Sequence, residues 1–213
     1  MNKEELKELE DFYNNVLALG GTQFTYKEFL ISKNDKGLWV LIHYMGDNST
    51  PIEIPGFIQV IGKAAFYRSF GISANSLGLK IPNGVIKIEN SAFSGCGIKE
   101  ITLPDTLQVI EPRAFDDCYI QRLFIPNSVK RIGNEAFADN EYMKFLSLPS
   151  HIKIGDKAFK NCGVMIHPSN SYFEIRRLHD TDDYTIVQGK GSFQWSTFQE
   201  SVDKYVKEEH GDD

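Results

Sequence analysis

The dipeptide Ala-Phe stands at 65–66, 92–93, 114–115, 136–137 and 158–159, which spaces Phe66, Phe93, Phe115, Phe137 and Phe159 by 27, 22, 22 and 22 residues. A proline precedes each pair: Pro55, Pro82, Pro104, Pro126 and Pro149. The phenylalanine follows its proline by 11 residues in four cases and by 10 in the last. A registered period of this size constrains the fold more than any single motif. One such unit cannot bury its own apolar edge, whereas stacked units share a continuous interior.

Aligning the copies shows what is held fixed. Around Pro104 the apolar set is Ile98, Ile101, Leu103, Leu107, Ile110, Ala114 and Phe115; around Pro126 it is Ile120, Leu123, Ile125, Val129, Ile132, Ala136 and Phe137. The residues before proline alternate as in a half-buried strand. Proline ends that strand, because it fixes φ and cannot donate to a ladder. The rest of each unit returns through turns, with alanine allowing close packing and phenylalanine filling the interior.

The segments LPDTLQVIEPRAFDDC and IPNSVKRIGNEAFADN resemble the BspA-like, or Treponema pallidum type, leucine-rich repeats, whose signature runs I-P-x-x-V-x-x-I-G-x-x-A-F-x-x-C. The resemblance covers residues 51–168, continues more weakly upstream through WVLIHYMGDNSTPIEIP, and runs out downstream in VMIHPSNSYFEIRRL. Five extra residues between Phe66 and Pro82 predict a bulged loop around YRSFGISANSLG. What the resemblance implies is an α+β repeat solenoid, a right-handed leucine-rich-repeat stack of about five short-strand units. Residues 1–50 are then an N-terminal capping helix and hairpin, 51–168 the solenoid, and 169–213 a C-terminal strand-helix cap and tail.

Cys96, Cys118 and Cys162 each lie three residues after their repeat's phenylalanine, and Ser69 and Asn140 hold that place in the other copies. Stacked rungs sit roughly 4.8 Å apart. A metal site or nucleophile would not alternate with serine and asparagine along such a ladder. The cysteines therefore read as small structural side chains that satisfy turn amides.

For the flanks, residues 2–19 carry Leu6, Leu9, Tyr13 and Val16 at helical spacing, with Asn2 and Glu5 as a capping box and Gly20-Gly21 as the stop. TQFTYKEFLI and GLWVLIHYM, around the turn-rich SKNDKG, predict a β-hairpin. Downstream, DYTIVQ reads as a strand, and Ser196 with Gln199 opens a short helix. Both flanks are expected to cover the open ends of the stack, the alternative being that they bind a partner.

No catalytic constellation emerges. His43, His151, His167, His179 and His210 have no metal-ligand spacing, GKGSF lacks the context of a phosphate loop, and HDTDDY lacks the glycine and terminal glutamate of a calcium loop. Asn48-Ser49-Thr50 is a formal glycosylation sequon. No cofactor or metal is expected. A net charge of −6, with 23 basic residues interleaved among 29 acidic ones, argues against nucleic acid. No apolar run approaches the ~20 residues of a membrane span. Three cysteines do not make a disulfide framework.

The residues four and two before each proline alternate with the buried ones and are expected to face outward: Gly78 and Lys80, Glu100 and Thr102, Arg122 and Phe124, Phe145 and Ser147. Phe124 and Phe145, diagonal to each other on adjacent strands with Arg122 on the same surface, have the composition of an interaction hot spot; alternatively a flank folds over the two rings. The chain reads as a non-catalytic, monomeric protein-recognition scaffold, a regulator or inhibitor that binds another protein through this face. The alternative is a bacterial surface or secreted adhesin, since many arrays of the family are displayed on cells. The location is expected to be cytoplasmic for a full-length chain and the cell surface or exterior for a trimmed mature form.

Overall fold

The computed structural model describes residues 3–46, 52–69, 78–143, 145–149, 151–162, 174–177 and 184–187, with the backbone alone for Phe145 and the last two segments. Helix α1 (Lys3–Ala18) leads into the antiparallel strands β1 (Gln23–Tyr26), β2 (Phe29–Lys33) and β3 (Trp39–Tyr44). The repeats supply β4 (Val60–Ile61), β5 (Leu79–Lys80), β6 (Lys87–Ile88), β7 (Ile101–Thr102), β8 (Val109–Ile110), β9 (Arg122–Phe124), β10 (Arg131–Ile132), β11 (Phe145–Ser147) and β12 (Lys153–Ile154). An antiparallel pair, β13 (Glu174–Arg177) and β14 (Tyr184–Val187), follows.

From Pro82 onward each coil contributes strands on two sides. The five strands after the prolines join β1, β2 and β3 in one eight-stranded sheet of order β1-β2-β3-β4-β6-β8-β10-β12, parallel from β3 onward. Those before the prolines pair as β5 with β7 and β9 with β11, and a Glu100–Arg122 bridge joins the two pairs. The expectation of a single strand per unit is therefore incomplete. The longer sheet is built from the stretch that reads as returning turns, and its two-residue strands are too short to show an alternation.

The local chemistry explains the period. Proline carbonyls accept the amide three residues on, at 3.3 Å for Val85 to Pro82, 3.0 Å for Leu107 to Pro104 and 3.1 Å for Val129 to Pro126. That turn fixes the P-x-x-V spacing. The following strand bonds back to the previous coil, as when the Gln108 and Glu111 amides donate to Ile86 and Ile88 at 2.9 Å each. Around the phenylalanine the amides point forward instead. Arg113, Phe115 and Asp117 donate to Asn134, Ala136 and Ala138 at 3.0, 2.7 and 3.0 Å. Two left-handed residues per coil make this possible, such as Arg113 and Asp117 (φ 56° and 53°) or Glu135 and Asp139 (φ 54° and 58°). The second of these positions carries Arg68, Gly95, Asp117, Asp139 and Asn161, four of the five being types that tolerate positive φ; the first carries Ala64, Ser91, Arg113, Glu135 and Lys157, which do not share that ease.

Inside, the five phenylalanine rings form one column. Phe66, Phe93, Phe115, Phe137 and Phe159 stack with centroids 4.8, 5.1, 5.1 and 5.4 Å apart and planes within 10° of parallel. Phe66, Phe93, Phe115 and Phe137 are wholly buried. Each such ring contributes about 1.5–3 kcal/mol of burial, beyond which a stacked pair adds about 0.5–1.5 kcal/mol.

At the N-terminus, Leu9 and Tyr13 of α1 are buried, Val16 is half-buried and Leu6 is exposed. Tyr13 packs against Phe24 and Trp39 at 5.9 and 5.2 Å. Gly20, at φ 81°, ends the helix, its amide and that of Gly21 closing on Leu17 and Val16 at 2.9 Å. The expected hairpin forms between β2 and β3, and β1 adds a further antiparallel strand to make a three-stranded meander. TQFTYKEFLI itself reverses at Lys27-Glu28, with Lys27 at φ 53° and Tyr26 paired to Phe29. Asn2, the bulged loop at 70–77 and the helix expected from Ser196 lie outside the described residues.

Candidate functional site

The face built by β5, β7, β9 and β11 is set by register. Leu79 pairs with Ile101, Lys80 with Thr102, Leu146 with Leu123, and Ser147 with Phe124. Backbone bonds of 2.9–3.0 Å hold the rungs, from Leu79 to Glu100, Ile81 to Thr102, Gln121 to Lys99 and Ile125 to Ser147. Leu79, Ile101, Leu123 and Leu146 point into the core. Lys80, Glu100, Thr102 and Arg122 are exposed on the other side, as their alternation predicts. Glu100 and Arg122 are bridge partners, so opposite charges stand on adjacent rungs.

Two positions depart from the expected outward row. Phe124 is half-buried rather than fully displayed. Ser147 is buried, at 5% exposure. Ser147 pairs in register with the much larger Phe124. The backbone of Phe145 pairs with Arg122, but its side chain lies outside the described residues.

The cysteine positions form a donor ladder. Cys96, Cys118 and Cys162 place Sγ 2.8, 3.2 and 3.3 Å from the carbonyls of Phe66, Phe93 and Phe137. Asn140 takes the same place, its Nδ2 donating to Phe115 and Phe137 at 2.8 Å each. These side chains serve amides, as expected, and carbonyls as well: the Cys118 and Cys162 sulfurs accept the backbone amides of Cys96 and Asn140, and Asn140 Oδ1 accepts the Ile120 amide at 3.1 Å. Burial pushes the Cys118 thiol well above its ordinary range and the Cys162 thiol up to about 12. Such thiols are poor nucleophiles and poor ligands at neutral pH.

One cluster escaped the sequence reading. Asp116, Asp117, Asp139 and Glu141 line a cleft of about 490 Å³ with Cys118, Tyr119 and Tyr142. The two tyrosine rings stack at 5.3 Å and 19°. Burial first, then the nearby Asp139, pushes the Asp116 carboxyl up to about 6. The signal was the recurrence of aspartate one and two residues after Phe115 and two after Phe137, which the search for metal motifs passed over. Among the described residues no group of three or more His, Cys, Asp or Glu is placed to hold a metal ion. His167, His179, His210, the acidic residues of HDTDDY, GKGSF and the sequon at Asn48 lie outside the described residues. No described helix is long and apolar enough to cross a membrane.

The profile of the family described as BspA type leucine rich repeat region matches residues 59–175 in six copies. Among solved structures, a leucine rich cell surface protein from Faecalibacterium prausnitzii A2-165 is 24% identical with a TM-score of 0.57, over 70% of this chain and 40% of that one. A T. pallidum leucine rich repeat protein is 25% identical with a TM-score of 0.55, over 67% and 69%. The pneumococcal vaccine antigen PcpA is 19% identical with a TM-score of 0.51, over 69% and 49%. The chain thus spans less than half the length of the Faecalibacterium and pneumococcal proteins. No curated protein matches it.

Proposed function

This chain belongs to the BspA-type leucine-rich-repeat family, and from that premise we propose that it is a non-catalytic scaffold for protein recognition, a regulator or inhibitor that works by covering part of another protein. The supporting observation is the row of Lys80, Glu100, Thr102 and Arg122 exposed on hydrogen-bonded rungs, with the half-buried Phe124 beside them. Side chains fixed on a rigid sheet lose little conformational freedom on docking, so more of their contact energy appears as affinity. A large aromatic next to arginine is the usual composition of the residues that dominate such contacts.

The test compares the immobilised chain with its Arg122→Glu/Phe124→Ser variant in lysate of the source cells, followed by titration of each against the purified captured protein. The double change should weaken the complex by at least about 2 kcal/mol, roughly thirtyfold, with the melting temperature nearly unchanged. Equal affinities would move recognition off this face. A surface adhesin would turn the same face toward a host or matrix protein, and fractionation of the source cells separates the two settings.

A further inference from the structure

A second concave surface lies at the other end of the molecule. Helix α1, the first strand of the meander and the turn at 53–57 enclose a groove of about 670 Å³. Its position follows from the repeat. Residues 52–54 precede Pro55 as Leu79–Ile81 precede Pro82, so they belong to the side of the solenoid on which the next four coils pair their strands. Among the described residues, 52–54 has no strand partner. Among the described residues β5 is the first strand of that face, and α1 and 53–57 line the groove beside it.

The lining combines two kinds of chemistry. Phe12 is 53% exposed although its ring meets Phe24 edge-on at 5.0 Å, and Phe57 is half-buried against Tyr26 and Trp39 at 5.3 and 5.7 Å. Around these rings stand the exposed Glu8 and Glu53, with Lys27 the one cation among the described lining residues. An apolar floor with an acidic rim is complementary to one large apolar side chain flanked by basic residues, and the volume is that of a small-ligand or side-chain site. Residues 52–54 belong to no described sheet, which leaves their backbone suited to an extended segment that adds by main-chain bonds.

We propose that this groove is a docking site for an extended segment of a partner protein carrying one large apolar residue between Lys or Arg residues. The site is separate from the face carrying Arg122 and Phe124 and does not depend on it. The probe is a fluorescein-labelled peptide of about nine residues, an extended length of roughly 30 Å, with a central Phe between arginines, added to the full chain. Its control replaces each Arg by Glu.

The Arg peptide should bind saturably and lose affinity with added salt, while the Glu peptide should not bind. Glu8→Lys/Glu53→Lys and, separately, Phe12→Ser should each weaken uptake at least about tenfold, and Arg122→Glu/Phe124→Ser should leave it unchanged. Equal uptake of both peptides, uptake of neither, or full affinity in the Glu8→Lys/Glu53→Lys variant would overturn the proposal. So would a dimer of the chain that Phe12→Ser dissolves and that excludes the Arg peptide, since a second copy would then be the occupant.

Discussion

Tyr44 stacks on Phe66 with ring centroids 5.4 Å apart and planes 27° from parallel, and its amide donates to the Ala65 carbonyl at 2.9 Å. The same bond recurs one coil on, from Phe66 to Ala92 at 2.8 Å. Tyr44 also precedes Phe66 by 22 residues, the spacing of the later rungs. The meander is therefore the first aromatic rung of the column as well as its cover, and β3 is continuous with the repeat sheet through its parallel pairing to β4.

Removing a ring from either place should cost alike. Tyr44→Ala and Phe115→Ala should each lower stability by about 3–5 kcal/mol, because both rings are buried between neighbours. Chemical denaturation followed by far-ultraviolet dichroism measures the two losses. A detachable N-terminal cap would behave differently, with Tyr44→Ala producing a separate early transition and leaving the main midpoint in place.

The donor ladder yields a graded series at one position. Asn140 is fully buried and serves the Phe115 and Phe137 carbonyls together with the Ile120 amide. Asn140→Ala removes the side-chain partner of the Phe115 carbonyl and the Ile120 amide, leaves the Phe137 carbonyl only the Cys162 thiol, and should cost about 2–3 kcal/mol. Asn140→Cys restores a donor of the kind Cys118 provides and should recover about 1 kcal/mol of that loss. Equal midpoints for the two variants would mean that the side-chain bonds are incidental to the packing.

What the sequence made legible was what repeats in side-chain type. The phenylalanine column, the place of the cysteines and the outward Lys80, Glu100, Thr102 and Arg122 all follow from residues recurring in register. The post-proline strands were hidden because a two-residue pairing leaves no alternation to read, and their order comes from backbone bonds that any residue makes. Tyr44 was passed over because a tyrosine without the preceding alanine breaks the Ala-Phe pattern while keeping its spacing. The burial of Ser147, in register with Phe124, is set by neighbours on other coils, which a single strand's alternation does not encode. The groove beside α1 depends on where the helix leans, and that is set by Leu9 and Tyr13 meeting Phe24 and Trp39 across distant parts of the chain.

The thiols provide a check on the absence of cysteine chemistry from the proposed function. All three are buried, and burial holds the Cys118 and Cys162 protons far above neutral pH. A thiol-reactive disulfide reagent at pH 8 should consume almost none of them in the folded chain and all three after denaturation, because the thiolate is the reacting species. Prompt reaction of one thiol in the folded chain would identify a reactive cysteine and remove the structural reading for that rung.

Asp116 gives the chain a defined pH response. Its folded-state pKa of about 6 lies above the ordinary 3.8, first because the carboxyl is partly buried and then because Asp139 faces it. The folded chain therefore holds this proton more tightly than the unfolded chain does. By linkage, the stabilisation it provides is present below about pH 4 and is lost as the pH rises through 6. Asp116→Asn removes the titration, so the variant should melt above the parent at pH 7, and the gap should close as the pH falls toward 4. The carboxyl is open enough to solvent for salt to screen it, so the gap should also shrink at high ionic strength. Paired thermal scans across this range, read as the difference between variant and parent, isolate the effect from every other titrating group. A gap independent of pH would show that the cleft tolerates the charge, and that Asp116 and Asp139 do not share it as a coupled pair.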